Sequence, residues 1–300
     1  MDVSIIIVNY NTAQLTLQCI ESIYSKTSKL VYEIIVVDNA STDNSVELIR
    51  DKFPNVLLVQ SDVNLGFGRA NNLAYQSALG NYIFLLNSDT ILVNNAIYKL
   101  FCFLEANLQI TIVGGQLLNK QLFPVHSYSV FFPSISWEVN NLLCGLLSKV
   151  KKLCKKRQLK YNNYFLVSYI TGADMMIRRS VIDKLGLFDP DFFMYFEETE
   201  MSHRYSQFNH SIAFFPQAKI IHLEGKSISF IEKKERLFFT SRAKYYRKVH
   251  SILYFKLANL LYLMTCFTKI LYSILSLNFK MSVFWIMRMK VFYSCRSEEH

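Results

Sequence analysis

Three runs, far apart in the sequence, put carboxylates directly after apolar, strand-like residues. They are Val37-Asp38-Asn39-Ala40-Ser41-Thr42-Asp43, Leu86-Asn87-Ser88-Asp89 and Phe196-Glu197-Glu198-Thr199-Glu200. In an open α/β sheet, ligands bind beyond the carboxyl ends of the strands. Acids delivered there from separate strands fit a metal-assisted or acid–base site. Asp38 can accept from the ring N–H of a base or from a ribose hydroxyl; with Asp43 it can equally cap a turn or a helix end. Asp89 follows the apolar run Ile83-Phe84-Leu85-Leu86. There it can ligate a hard divalent cation that bridges diphosphate oxygens, or simply close a turn.

His222 ends the strand-like Ala218-Lys219-Ile220-Ile221 and opens the run His222-Leu223-Glu224-Gly225-Lys226-Ser227. A lone histidine is structural more often than it is a ligand. One imidazole and one carboxylate nonetheless suit Mn²⁺ or Mg²⁺, with diphosphate and water completing the shell. Glu197, Glu198 and Glu200 crowd into four residues, repel one another and, if buried, hold at least one carboxyl protonated toward neutral pH. Such a group is a general base. The same acids also suit the first turn of a helix running to Arg204, where the helix dipole favours Glu, and both readings can hold together. Asn64-Leu65-Gly66-Phe67-Gly68-Arg69-Ala70-Asn71-Asn72 turns into a helix whose first N–H groups, helped by Arg69, can meet an anion. It lacks the third glycine of G-x-G-x-x-G, which argues against a dinucleotide fold.

The elements that must position these groups alternate strand and helix. Strands are expected at Val3–Val8, Tyr32–Val37, Asn55–Gln60 and Tyr82–Leu86, with a short one at Thr111–Gly114. Helices are expected at Thr12–Tyr24, Asp43–Lys52, Phe67–Leu79 (ended by Gly80) and Asn94–Glu105. The alternation predicts an α/β fold with a mainly parallel, doubly wound sheet. From 121 to 163 the pattern breaks into aromatics, Pro124, Pro133 and basic residues, as in an insertion. Order resumes with Phe165–Thr171, Asp174–Ile177, the helix Val181–Leu185, and two late strands, Ile212–Phe215 and Ala218–His222. The division expected is one domain over 1–230 and a helical extension over 231–300.

The chain has 300 residues, 51% apolar and 15% aromatic, and a net charge of +10. Lys149, Lys151, Lys152, Lys155, Lys156, Arg157 and Lys160 fall together without an acid among them. That cluster reads as a solvated face or as a contact with anionic headgroups or phosphates. No nucleic-acid module accompanies it, so nucleic acid is not an expected partner. The six cysteines form no C-x-x-C pair, which leaves zinc and thioredoxin-type chemistry unsupported and fits a reducing, cytoplasmic compartment. The start runs directly into a strand, and no secretory signal is read there. Leu257 to Leu277 carries a single charge, Lys269. It can span a bilayer, lie in its interface, or pack as a core or oligomer helix. Tyr254, Tyr262 and Tyr272 are compatible with an interface.

Taken in order, these motifs resemble glycosyltransferase family 2, the inverting nucleotide-sugar transferases of GT-A (Rossmann-like) fold. The series is Ser4-Ile5-Ile6-Ile7-Val8-Asn9-Tyr10-Asn11, Asp38 to Asp43, Asn64 to Asn72, Asn87-Ser88-Asp89, Thr171-Gly172-Ala173-Asp174, Gly186-Leu187-Phe188-Asp189, Phe193 to Glu200, and His222. It covers about residues 3 to 230, and Thr171 to Glu200 looks most like the rhamnosyltransferase-like branch that builds bacterial surface polysaccharide. The resemblance implies a nucleotide-sugar donor, UDP- or dTDP-linked, held by Asn9, Tyr10, Asn11, Asp38, Arg69, Asn71, Asn87, Ser88 and Asp89. It implies Mn²⁺ or Mg²⁺ on Asp89 and His222, Glu198 as catalytic base, and Glu197 and Glu200 toward the acceptor. Glu198 stands where the family usually has aspartate, and Asn87 replaces the first acid of its D-x-D motif. The basic cluster, the aromatic stretch at 121–163 and the apolar C-terminus suggest a saccharide or lipid-linked acceptor at the cytoplasmic face of an anionic membrane. Two alternatives stay open: a scaffold of this fold that lost its chemistry, and a nucleotidyltransferase, for which Asn9-Tyr10-Asn11-Thr12 is a poor phosphate loop.

Overall fold

The computed structural model describes residues 1–158, 163–223 and 231–297. In chain order the elements are β1 (Val3–Asn9), α1 (Ala13–Lys26), β2 (Tyr32–Asn39), α2 (Ser45–Lys52), β3 (Leu57–Ser61), α3 (Gly66–Tyr75), β4 (Tyr82–Asn87), β5 (Thr90–Leu92), α4 (Ala96–Ala106) and β6 (Ile110–Leu118). There follow β7 (Tyr128–Ser129), α5 (Ile135–Leu142), α6 (Leu146–Gln158), β8 (Phe165–Leu166), β9 (Tyr169–Ile170), β10 (Asp174–Arg178), α7 (Arg179–Leu185), α8 (Glu197–Ser206) and β11 (Ser211–His222). The last three are α9 (Ile231–Val249), α10 (Ile252–Leu275) and α11 (Phe279–Ser297).

Two compact units result. The first comprises 1–129, 157–193 and 197–227. Its sheet runs β3-β2-β1-β4-β10-β6-β11-β5. The half from β3 to β4 is parallel, β10 lies antiparallel to both its neighbours, β6 and β11 are parallel, and β5 is antiparallel to β11. Both faces are covered. Ile5, Ile7, Val36 and Phe84 pack with α1 and α4 on one side, while Ile6, Ile35, Val37 and Leu85 pack with α3, α7 and α8 on the other. A sheet buried on both faces needs continuous β-branched strands, and β1 and β2 read that way.

Several boundaries differ from the sequence reading for identifiable reasons. The two late strands are one, β11, because a register shift between Phe214 and Lys219 absorbs Pro216, which has no N–H to give the ladder. The helix at Phe67–Leu79 stops at Tyr75. Gly80 is required not as its cap but because β1 approaches closely: a Cβ there would lie 2.3 Å from the Ser4 nitrogen.

The second unit comprises 130–156, 194–196 and 228–300. Thus α5 and most of α6, which lie in the stretch read as an insertion, belong with the C-terminal helices. The unit is built on aromatic packing of Phe239, Tyr262 and Phe292. Arg242, 1% exposed, is held by Glu138 and by Asn259 Oδ1 at 2.7 Å, and stacks on Tyr246. Among the described residues α10 is the one helix long and apolar enough to cross a membrane, and a third of its apolar window is buried. Lys160 and the run Glu224–Ser227 lie outside the described residues.

Candidate active site

The parallel ladders set Asn9 opposite Asp38 and Val8 opposite Asn87, so β1, β2 and β4 end side by side. Asn9 Nδ2 donates to Asp38 Oδ1 at 2.7 Å and to Ser41 Oγ at 3.0 Å, and the Ser41 amide donates to Asp38 Oδ2 at 3.1 Å. Asn9 Oδ1 accepts from the hydroxyls of Thr16 (2.7 Å) and Thr12 (3.0 Å), and Thr12 Oγ1 lies 3.2 Å from Ser88 Oγ. The turn after Asp38 carries Ala40 at a φ of 63° and is braced by Asn11, whose Oδ1 accepts from the Thr42 amide at 2.7 Å. Asp38 is 3% exposed, yet each carboxylate oxygen keeps a lone pair beyond these bonds. Tyr10 beside it is exposed.

The second group is made by β5 and β11. Their register pairs His222 with Thr90, so the preceding residue, Asp89, meets the imidazole. Asp89 Oδ1 and His222 Nε2 are 3.2 Å apart, and Asn87 Nδ2 is 3.4 Å from the same nitrogen. Thr90 Oγ1 closes the turn on the Asn87 carbonyl at 2.7 Å. Cys19 lies beneath it, and burial pushes its thiol up to about 12, too high to ligate or attack. Adjacent ligands of an octahedral ion with ~2.1 Å bonds sit about 3 Å apart, so Asp89 and His222 fit two positions of an Mn²⁺ or Mg²⁺ shell. Both side chains are mostly buried, with 15% and 12% of their surfaces exposed for His222 and Asp89, and no group of three or more His, Cys, Asp or Glu among the described residues could hold an ion alone. A cation here would need oxygens from a ligand or from water.

The third group opens α8. Tyr195 and Phe196 have φ values of 69° and 68°, a left-handed pair that costs of order 1–2 kcal/mol per residue and turns the chain sharply into the helix. Glu197 and Glu198 follow. Burial, then the neighbouring Glu198 charge, holds the Glu197 carboxyl well above the ordinary range. Burial raises Glu198 to about 7, against the opposing pull of the amides at the helix start. Tyr169 shares hydrogen bonds with Ser129 and Thr199, and burial together with the Glu198 charge pushes its phenol up to about 12.

The segment ahead of α8 is tied back to β2 through α3. Asn39 Nδ2 donates to the Gly66 carbonyl at 3.1 Å, and the Phe67 amide donates to the Phe193 carbonyl at 2.9 Å. Gly66 has a φ of 79°, and a Cβ on it would lie 2.1 Å from the Phe193 oxygen. Only glycine permits that contact.

Asn9, Asp38, Asn87, Ser88, Asp89 and His222 thus form one hydrogen-bonded neighbourhood. Other expected residues are engaged elsewhere. Arg69 Nε donates to the Pro190 carbonyl at 2.5 Å, Asn71 Nδ2 to the Phe67 carbonyl at 2.9 Å, and Glu200 is clasped by Arg204 at 3.0 Å. That ion pair also anchors the carbonyls of Leu185, Gly186 and Leu187, which gives Glu200 a structural use. Sequence reasoning missed Asp174. It is fully buried at the start of β10, where the Asn87 amide donates to the neighbouring Ala173 carbonyl at 3.1 Å. Its Oδ2 accepts from the Gly115 amide at 2.6 Å, and burial raises it well above the usual carboxylate range. The signal was available: an acid adjoining the apolar Met175-Met176-Ile177.

A mixed sheet whose β1, β2 and β4 end side by side with the Asp38 group, and whose β5–β11 edge carries the acid–imidazole pair, has the architecture of a GT-A glycosyltransferase fold. The family model for glycosyl transferase family 2 matches residues 4–186, and the chain belongs to that family. It is 30% identical over 181 residues to a poly(ribitol-phosphate) beta-glucosyltransferase of Bacillus spizizenii, covering 58% of this chain and 28% of that one. The chain therefore spans little more than a quarter of that relative. It is 26% identical to a low-salt glycan biosynthesis hexosyltransferase of Haloferax volcanii, covering 81% and 74% of the two chains. It is 23% identical to an N-acetylglucosaminyl-diphospho-decaprenol L-rhamnosyltransferase of Mycobacterium tuberculosis, covering 65% and 67%. A mannosyltransferase from Pyrobaculum calidifontis, solved with GDP-Man and Mn²⁺, shares the fold at a TM-score of 0.62 and 13% identity, covering 99% of this chain and 86% of that one.

Proposed function

We propose that this glycosyltransferase moves a sugar from a UDP- or dTDP-sugar, dTDP-rhamnose foremost, to a hydroxyl of a saccharide or lipid-linked acceptor, with inversion, in surface-polysaccharide synthesis. The observation that carries this reading is the placing of the braced Asp38 carboxylate and the Asp89–His222 pair at strand ends of a family 2 glycosyltransferase domain.

Asp38, held by Asn9 and Ser41, accepts from the nucleobase or ribose and fixes the donor's orientation. Asp89 and His222 would hold a divalent cation, whose chemistry would be to neutralise charge on a departing diphosphate. Glu198 takes the proton from the acceptor hydroxyl as that oxygen attacks the anomeric carbon from the face opposite the nucleotide. The C–O bond to the diphosphate breaks as the new glycosidic bond forms. A single base suffices, because no glycosyl-enzyme intermediate is made. A carboxyl raised to about 7 is well matched to that task at neutral pH.

The test is donor turnover with a panel of UDP-, dTDP- and GDP-sugars, with and without Mn²⁺, and NMR assignment of the product's anomeric configuration. Metal-stimulated turnover of one donor with inversion supports the reading. Donor binding without hydrolysis or transfer under any metal would favour an inactive scaffold, and a retained configuration would remove Glu198 from its role.

A further inference from the structure

The C-terminal unit carries an exposed apolar stripe that its own packing leaves uncovered. On α10, Leu253, Leu257, Leu260, Met264, Phe267, Leu271 and Ile274 recur at alternating spacings of four and three, and every one is exposed. Phe267 is 67% exposed and Leu253 74%. The opposite face is filled: Phe255, Ala258, Asn259, Tyr262, Thr265 and Cys266 are buried within the unit. The helix is therefore neither buried all round, as in a core, nor apolar all round, as in a span. Asn259 and Thr265 on its inner face are committed to the protein, with Asn259 accepting from Arg242 at 2.7 Å. A stripe of this length exceeds the apolar patches that soluble monomers leave in water.

Charge identifies what covers it. Of the 33 Lys and Arg residues, 18 fall in this unit, against 5 of the 23 Asp and Glu. The excess positive charge of the whole chain thus resides in the unit that carries the stripe, and α6 contributes Lys149, Lys151, Lys152 and Lys155 within a stretch free of acids. A second copy of so basic a unit would be repelled across an apolar helix–helix seam. An anionic lipid surface satisfies both features at once.

We propose that the exposed stripe of α10 lies in the interface of a membrane rich in anionic phospholipid, with the basic residues of the C-terminal unit on its headgroups. The chain docks in the plane of the bilayer and does not cross it, because one face of α10 is occupied by α5 and α11. This inference goes beyond sugar transfer and stands on binding alone, so it succeeds or fails whatever the donor proves to be.

The experiment is flotation of the full chain with vesicles of phosphatidylcholine alone or with phosphatidylglycerol, at low and at physiological salt. Binding to the anionic vesicles should exceed binding to the neutral ones by about tenfold or more, and should weaken as salt rises. Phe267→Glu should lower the anionic-vesicle partition by about tenfold or more. Its side chain is largely in water, so its melting should match wild type. Leu260→Gln is the milder second variant, and Lys120→Gln, on the first unit, is the control for lost charge and should leave binding unchanged. Equal partition of Phe267→Glu and wild type overturns the proposal. So does a lipid-free dimer that Phe267→Glu converts to monomer while vesicle binding persists. Resistance of the bound wild-type chain to alkaline carbonate extraction would instead make α10 a span, which also overturns it.

Discussion

Asp89 Oδ1 lies 3.2 Å from His222 Nε2, and a backbone ladder sets that contact. The three pairs of β5 with β11 fix which residue of each strand faces the other at the strand ends, with His222 against Thr90 and Asp89 one step before it. Asn87 and Thr90 close the turn between β4 and β5 from inside. In the proposed mechanism the rest of the shell is left to the substrate, which ties metal affinity to donor binding.

Removing either ligand should therefore show itself in metal dependence before it shows in fold. Asp89→Ala and His222→Ala should each raise the Mn²⁺ concentration for half-maximal donor turnover by on the order of 10- to 100-fold. Thermal melting should fall by no more than a few degrees, since the pair makes a single 3.2 Å contact and the β5–β11 ladder holds the strands without it. The check is a Mn²⁺ titration of turnover at fixed donor. Unchanged half-saturation in both variants would mean that the cation, if one is used, is held elsewhere.

Glu198 makes a prediction about pH with opposite signs for rate and stability. In the proposed mechanism Glu198 acts as the carboxylate, so kcat/KM should rise from pH 5 to pH 8 with its midpoint near 7. The fold, by contrast, binds the Glu198 proton more tightly than the unfolded chain does. Its contribution to stability is fully present below the ordinary glutamate range and is lost as pH rises through about 7. Glu198→Gln should remove ~10²–10⁴ of the rate, flatten the acid limb of the profile, and make melting less dependent on pH between 5 and 8. Wild-type turnover in a folded Glu198→Gln variant would transfer the role to another group.

The Asp38 network predicts a combined effect. Asp38→Ala leaves Asn9 Nδ2 and the Ser41 amide without their shared acceptor in a buried place, which costs about 1–3 kcal/mol of stability. On the proposed reading it also removes the acceptor for the nucleobase or ribose, so nucleotide affinity should fall by about tenfold. Asn9→Ala should reproduce much of the destabilisation, because Asn9 also satisfies Thr12 and Thr16, while retaining the acid. Calorimetric titration with UDP and dTDP beside thermal melting separates the two effects.

Much of the strand–helix alternation was legible because buried strands here are unbroken β-branched runs, and Asp38, Asn87 and Asp89 follow such runs directly. Strand direction was not. Nothing in Met175-Met176-Ile177 says that β10 runs against β4, because an apolar strand buried on both faces has the same composition either way. Pro216 misled locally: its missing N–H suggests a break, and the ladder slips past it instead. Arg69 and Asn71 stand on the right turn, yet their hydrogen bonds go to the Pro190 and Phe67 carbonyls, and such partners depend on tertiary contacts that spacing does not encode.

Asp174 offers the last test, and it follows from one unshared proton. Burial raises its pKa well above the usual carboxylate range, and among the described residues only the Gly115 amide is hydrogen-bonded to it, so the fold favours the protonated carboxyl. Its stabilising contribution is full below the unfolded aspartate range and is lost as pH climbs through the raised folded value, so wild-type melting should decline toward alkaline pH partly on its account. Asp174→Asn keeps the acceptor for Gly115 and carries no charge at any pH. It should cost under about 1 kcal/mol near pH 5 and become the more stable of the two proteins as pH rises. Asp174→Ala leaves the Gly115 amide unpaired beside a cavity and should cost about 1–3 kcal/mol at every pH. Parallel melting curves for wild type and Asp174→Asn from pH 5 to 9 would show that the buried carboxyl is ionised after all, with a cation or an unmet donor beside it.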